Sequence, residues 1–107
     1  MFLYWSIFIS MINVCFCYNN NYELLKDELK KELTQYPEIQ FEYFNEDSFV
    51  ERKKSFKIKK SFAAKQIPFC GVFKDNKMIK GFYTEANECT TKNISKFLFE
   101  HFAFVTI

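Results

Sequence analysis

Residues 66–83 read Gln66-Ile67-Pro68-Phe69-Cys70-Gly71-Val72-Phe73-Lys74-Asp75-Asn76-Lys77-Met78-Ile79-Lys80-Gly81-Phe82-Tyr83. Two β-prone runs flank Asp75-Asn76, a residue pair that tolerates the positive φ of a tight turn, so the stretch predicts an antiparallel hairpin. Pro68 has no N–H to give to a ladder and stands where such a residue is tolerated, just ahead of the first strand. Downstream, Thr90 or Thr91 can cap a final helix on which Ile94, Phe97, Leu98 and His101 or Phe102 share one face. Upstream, Asp47 or Ser48 can cap a helix turning Phe49, Val50, Phe56 and Phe62 inward and Lys53, Lys54, Lys57, Lys59 and Lys60 outward. Ile39 to Phe44 alternates as a more exposed strand. Before it, Leu24, Leu25, Leu29 and Leu33 recur at helical spacing, with Asn20 or Asn21 as N-cap, Glu23 in the first turn and Pro37 closing the segment. Ile12 to Tyr18 reads as a strand apolar on both faces. The order is strand, helix, strand, helix, proline, hairpin, helix. It implies an α/β fold in which a parallel pair joined by a crossover gains an antiparallel edge from the hairpin.

A chain of 107 residues, 49% hydrophobic and 26% charged, fits one compact domain. Two glycines, two prolines and 21% aromatic residues exclude a disordered tail, a flexible linker or a collagen-like array. No charged residue precedes Glu23. The apolar stretch Met1 to Cys17 lacks the basic start of a secretory signal and falls short of the ~20 residues that span a bilayer. We divide the chain into an apolar leader (1–10), a folded domain (11–102) and a tail (103–107), with Met11 as an alternative start. Cys15, Cys17, Cys70 and Cys89 contain no Cys-x-x-Cys pair, and His101 is the one histidine, so neither a metal site nor a cofactor is implied.

In this order and spacing the elements resemble the thioredoxin-like superfamily, from about Met11 to Phe102. Gln66-Ile67-Pro68-Phe69-Cys70-Gly71-Val72-Phe73-Lys74-Asp75-Asn76-Lys77 is similar to that superfamily's loop, cis-proline, apolar strand and lysine-rich hairpin tip. Val14-Cys15-Phe16-Cys17-Tyr18, followed by Leu24-Leu25-Lys26-Asp27-Glu28-Leu29, is similar to its first core strand and active-site helix. The resemblance implies a thioredoxin/glutaredoxin fold: a central mixed sheet of about four strands in the order β-α-β-α-β-β-α, helices on both faces and a cis bond at Pro68. It also implies a substrate-binding surface around Tyr22, Ile67 and Pro68.

The superfamily's redox chemistry needs Cys-x-x-Cys at the start of the first helix, where the dipole and free amides lower a thiol pKa. Asn19-Asn20-Asn21-Tyr22 holds that position, so the active site is degenerate and dithiol exchange does not carry over. Cys15 and Cys17 share a strand face at a separation too large for an unstrained bridge. Cys70 lies on a strand expected beside theirs, so a Cys17–Cys70 pair or a three-thiol cluster is conceivable; otherwise these are small buried hydrophobes. Cys89 falls near the cap of the last helix, where a lowered pKa is conceivable.

Three functional classes remain: a redox-inactive protein-binding module using the Pro68 loop, a thiol-disulfide oxidoreductase or redox sensor using Cys17, Cys70 or Cys89, and a structural subunit. Phe99, Phe102, Phe104 and the leader are the residues a subunit would turn to a partner chain; the sequence sets no oligomeric state. Arg52 to Lys65 holds seven bases and no acid, which could contact phosphate on nucleic acid or an anionic membrane surface; it is read as a solvated helix face. Arginine, which grips phosphates bidentately, is represented there by Arg52 alone, which disfavours nucleic acid; membrane contact is assigned only to residues 1–17. Asn93-Ile94-Ser95 is a glycosylation sequon relevant in the secretory pathway, which a signal or anchor in residues 1–17 would open. Cleavage after Cys17 would remove the expected central strand, so a reducing, intracellular setting is preferred.

Overall fold

A computed structural model describes residues 12–83 and 88–102; the leader, Met11, Phe104 and the rest of the tail lie outside them. The chain forms β1 (Ile12–Tyr18), a single 3-10 turn (Asn20–Tyr22), α1 (Glu23–Leu33), β2 (Ile39–Asn45), α2 (Arg52–Ser61), β3 (Phe69–Lys74), β4 (Lys77–Phe82) and α3 (Thr91–His101). The sheet order is β2-β1-β3-β4, with β1 parallel to β2 and β3 antiparallel to both β1 and β4. β1 therefore has a strand on each side and a helical layer over each face, which is why nearly all of its residues are apolar.

The register divides the core into two faces. Partners in an antiparallel ladder point the same way, so Phe16, Cys70 and Phe82 line one face, as do Val14 and Val72. They pack with Leu29 and Leu33 of α1, Ile94 and Leu98 of α3, Tyr36 and Cys89. Full burial of a side chain such as Phe16 or Leu98 stabilises by about 1.5–3 kcal/mol. Cys15, Cys17, Phe69 and Gly71 look the other way, toward α2. There the Phe62 ring lies over Phe69, centroids 5.0 Å apart, and also meets Phe73 and Tyr83. A Cβ on Gly71 would stand 2.5 Å from that ring, so glycine is what lets Phe62 reach the sheet.

Local chemistry sets the boundaries. Asp75 and Asn76 both adopt positive φ (53° and 63°), the signature of a type I′ hairpin turn. Thr90 caps α3, its Oγ1 accepting from the Asn93 N–H at 3.1 Å. The Asn93 side chain donates to the Glu88 carbonyl, so the sequon asparagine is tied into this cap. The Ile67–Pro68 peptide bond is cis. His101 is exposed, its ring stacked on Phe97 and edge-on to Phe102. No helix among the described residues is long and apolar enough to cross a membrane.

Several expectations fail. Leu24 is 80% exposed, because the inward stripe of α1 runs through Leu29 and Leu33. Phe49, Val50 and Phe56, expected in the core, are 85, 79 and 61% exposed. Helix α2 begins at Arg52, leaving Phe49 and Val50 in the preceding turn, and its inward stripe is Ser55, Ile58, Lys59 and Phe62. Phe56 lies one helical position, about 100°, beyond Ser55 of that stripe. Lys59, expected outside, turns inward and pairs with Glu46. Neither Asp47 nor Ser48 caps α2, and neither Asn20 nor Asn21 caps α1: Glu51 and Tyr22 hold those positions without a side-chain cap, and Asn19 caps the 3-10 turn. Helix α1 ends at Leu33, ahead of Pro37.

Candidate functional site

The pairing Cys17↔Phe69 brings the end of β1 level with the start of β3, so Asn19–Tyr22 and Ile67–Pro68 meet at one end of the sheet. Pro68 is buried; Tyr22 and Ile67 are half-buried against the core, and Leu24 stands exposed one residue into α1. The asparagine loop is closely fixed. Asn19 Oδ1 accepts from the Asn21 N–H (3.0 Å) and the Asn19 carbonyl from the Tyr22 N–H (2.9 Å). The Asn20 N–H donates to Asp47 Oδ2 (2.9 Å), while Asn45 Nδ2 donates to Asn20 Oδ1 (2.8 Å). Asn45 Oδ1 accepts from the Asp47 N–H, and its own N–H donates to Glu51 Oε2. The loop after β2 thus clasps the loop after β1. Sequence reasoning missed this clasp, although Asn45-Glu46-Asp47-Ser48 carries the short polar side chains that make such turns.

The thiols are buried and unpaired. Because Cys70 pairs in register with Phe16, it projects to the face opposite Cys15 and Cys17. This rules out both the Cys17–Cys70 pair and the three-thiol cluster. Cys17 lies under α2 with Sγ 3.8 Å from the Ser55 carbonyl, beside the Glu46–Lys59 ion pair. Burial pushes its pKa up to about 12; Cys15 and Glu46 add to the rise and Lys59 opposes it. Cys15 donates to Glu42 Oε2 at 3.7 Å, and burial, reinforced by that carboxylate, likewise raises it to about 12. Burial holds Cys70 well above the ordinary thiol value. Cys89, for which the helix cap suggested a lowered pKa, turns into the core instead, and burial raises it to about 12. The Asn93 N–H at the start of α3 donates to Thr90 Oγ1. Among the described residues no group of three His, Cys, Asp or Glu could hold a metal ion.

A four-stranded sheet ordered β2-β1-β3-β4, with α1 and α3 on one face and α2 on the other, defines a thioredoxin-like α/β fold. No family model and no curated protein matches the sequence. Solved structures do. Thioredoxin f2 of Chlamydomonas reinhardtii superposes with a TM-score of 0.64 at 13% identity, over 92% of this chain and 86% of that one. Mitochondrial thioredoxin 3 of Saccharomyces cerevisiae, in its oxidized form, gives 0.63 at 16% identity over 92% and 89%. The thioredoxin of Trypanosoma brucei brucei gives 0.52 at 12% identity over 90% and 86%. At these identities the likeness is one of fold.

Proposed function

We propose that this chain is a redox-inactive thioredoxin-fold module that binds an extended protein segment where Asn19–Tyr22 meets Ile67–Pro68. The observation that carries the reading is the juxtaposition of these two loops by the Cys17↔Phe69 register, with asparagines in place of thiols at the helix start. Tyr22, Leu24 and Ile67 supply apolar contact, and a peptide in extended conformation would add main-chain hydrogen bonds. The asparagine clasp supports a binding role, since a fixed loop loses little entropy when a ligand arrives. Thiol exchange at Cys17, Cys70 or Cys89 would need a thiolate, and burial opposes one at each position. Four free, buried thiols suit a reducing, intracellular setting.

The test is to pan a displayed library of extended peptides against the full-length chain, then measure the selected peptides against Ile67→Asp. Selected peptides are expected to slow amide exchange at Tyr22 and Ile67, and the substitution to weaken them about tenfold or more, as loss of an apolar anchor does. Binding unaffected by Ile67→Asp, or protection confined to another face, would contradict the reading.

A further inference from the structure

Seven of the fifteen bases and none of the thirteen acids fall between Arg52 and Lys65, so this segment carries +7 and the rest of the chain −5. Among the described residues only Lys59 of the seven is ion-paired, which leaves six cations without a counter-charge on and just beyond α2. Phe56 lies among them, and Phe49 and Val50 stand in the turn just before the helix; these are three of the most exposed large apolar side chains in the described chain. Two open concavities flank Phe56. One, about 490 Å³, is walled by Arg52, Lys53, Lys57 and Lys60. The other, about 500 Å³, is walled by Lys59, Lys60, Ala63, Ala64 and Lys65.

We propose that the outer face of α2, with the turn before it, docks on an anionic membrane surface. Ammonium groups crown this face and hydrocarbon forms its floor, because the lysine stems, Ala63, Ala64 and the Phe56 ring line the hollows. That profile matches the boundary between lipid headgroups and acyl chains, where aromatic rings insert while lysines reach up to the phosphates. Diffuse negative charge on a leaflet attracts point charges cumulatively and demands no bidentate geometry, so a surface of lysines suits it. Nucleic acid and phosphopeptides favour the arginine fork, which Arg52 alone offers here. The −5 remainder turns this face, and no other, toward the bilayer. This contact depends on lipid charge, whereas binding through the apolar leader would not, and it does not depend on the peptide site.

The experiment is flotation of the full-length chain with phosphatidylcholine vesicles lacking or containing about 30% phosphatidylserine, in low and high salt. Binding is expected only with phosphatidylserine, falling about tenfold or more as salt rises from about 0.05 to 0.5 M. Lys53→Glu/Lys57→Glu/Lys60→Glu should lose roughly a hundredfold, and Phe56→Ser roughly tenfold at unchanged lipid charge. Should either variant fail to fold, a lipid-anchored spin label on vesicles with the unaltered chain supplies the readout, broadening the amides of Phe49 to Lys60. Equal binding to neutral vesicles, or binding that survives charge reversal, would assign the contact to the leader and overturn the proposal. No binding at low salt would overturn it too, as would preferential salt-sensitive capture of a single-stranded oligonucleotide or of polyglutamate.

Discussion

Cys15, Cys17 and Cys89 each hold a proton in the folded chain far more tightly than an ordinary thiol, whose pKa is 9.0. Linkage turns this into a pH dependence with a definite sign. Between pH 9 and pH 12 the unfolded thiols ionise while the folded ones do not, so rising pH draws the equilibrium toward the unfolded state. Below the unfolded value both states are protonated and the contribution is complete. Urea midpoints are therefore expected to stay level from about pH 7 to about pH 8 and to fall above pH 9, at up to about 1.4 kcal/mol per pH unit for each thiol. Cys17→Ala should flatten part of that decline, whatever its own cost in packing. A midpoint that holds steady up to about pH 10, where tyrosines and lysines begin to titrate, would contradict the burial that sets these values. Cys89, read at the edge of a helix cap, was not legible as buried, whereas Cys15, Cys17 and Cys70 were legible as buried residues from their place in β-prone runs. Which face each one took was not, because a slip of one residue in the β1–β3 register exchanges the faces, and nothing local in Phe69-Cys70-Gly71 fixes that register.

At the scale of elements, the turn between β3 and β4 was the easiest to read and α2 the hardest. Asp75-Asn76 specifies a type I′ turn through its own backbone preferences, so no distant contact was needed. Helix α2 carries apolar residues on two stripes. Phe56, with Phe49 in the turn before the helix, stays exposed, because Ser55, Ile58 and Phe62 fit the space over Cys17, Phe69 and Gly71. Hydrophobicity alone does not separate the two stripes, since the buried one contains Ser55 and Lys59. Asn19–Tyr22 leads directly into α1, whose N-terminal amides and dipole would favour the thiolate of a cysteine placed there. Asn19→Cys/Tyr22→Cys is therefore expected to accelerate the reduction of insulin disulfides by dithiothreitol, while the native chain adds nothing to the background rate. The substitution sacrifices the Asn19–Asn21 hydrogen bond, a loss of about 0.5–1.5 kcal/mol that the fold should survive. Acceleration by the native chain itself would contradict the redox-inactive reading.

Over the whole molecule, the order of elements was enough to place β1 at the centre of the sheet, since a strand-helix-strand start followed by a hairpin leaves few alternatives. The end of the sheet where two loops meet was legible only by resemblance: Asn19–Tyr22 and Ile67–Pro68 are more than forty residues apart, and only the sheet joins them. The clasp through Asn45 and Asp47 was not legible, because it depends on β1 and β2 ending together at Tyr18 and Asn45. The chain has a thioredoxin-like fold with asparagines and Tyr22 at the start of its first helix and four free cysteines in its interior; the proposed redox-inactive role follows from that arrangement. It is tested most directly by the rate at which each cysteine of the native chain is alkylated between about pH 7 and pH 9, resolved by peptide mass spectrometry and compared with the unfolded chain. All four are expected to react at least about a hundredfold more slowly in the native chain. A single thiol that reacts rapidly near neutral pH and becomes protected, together with a partner, on oxidation would contradict the account and return the protein to the thiol enzymes.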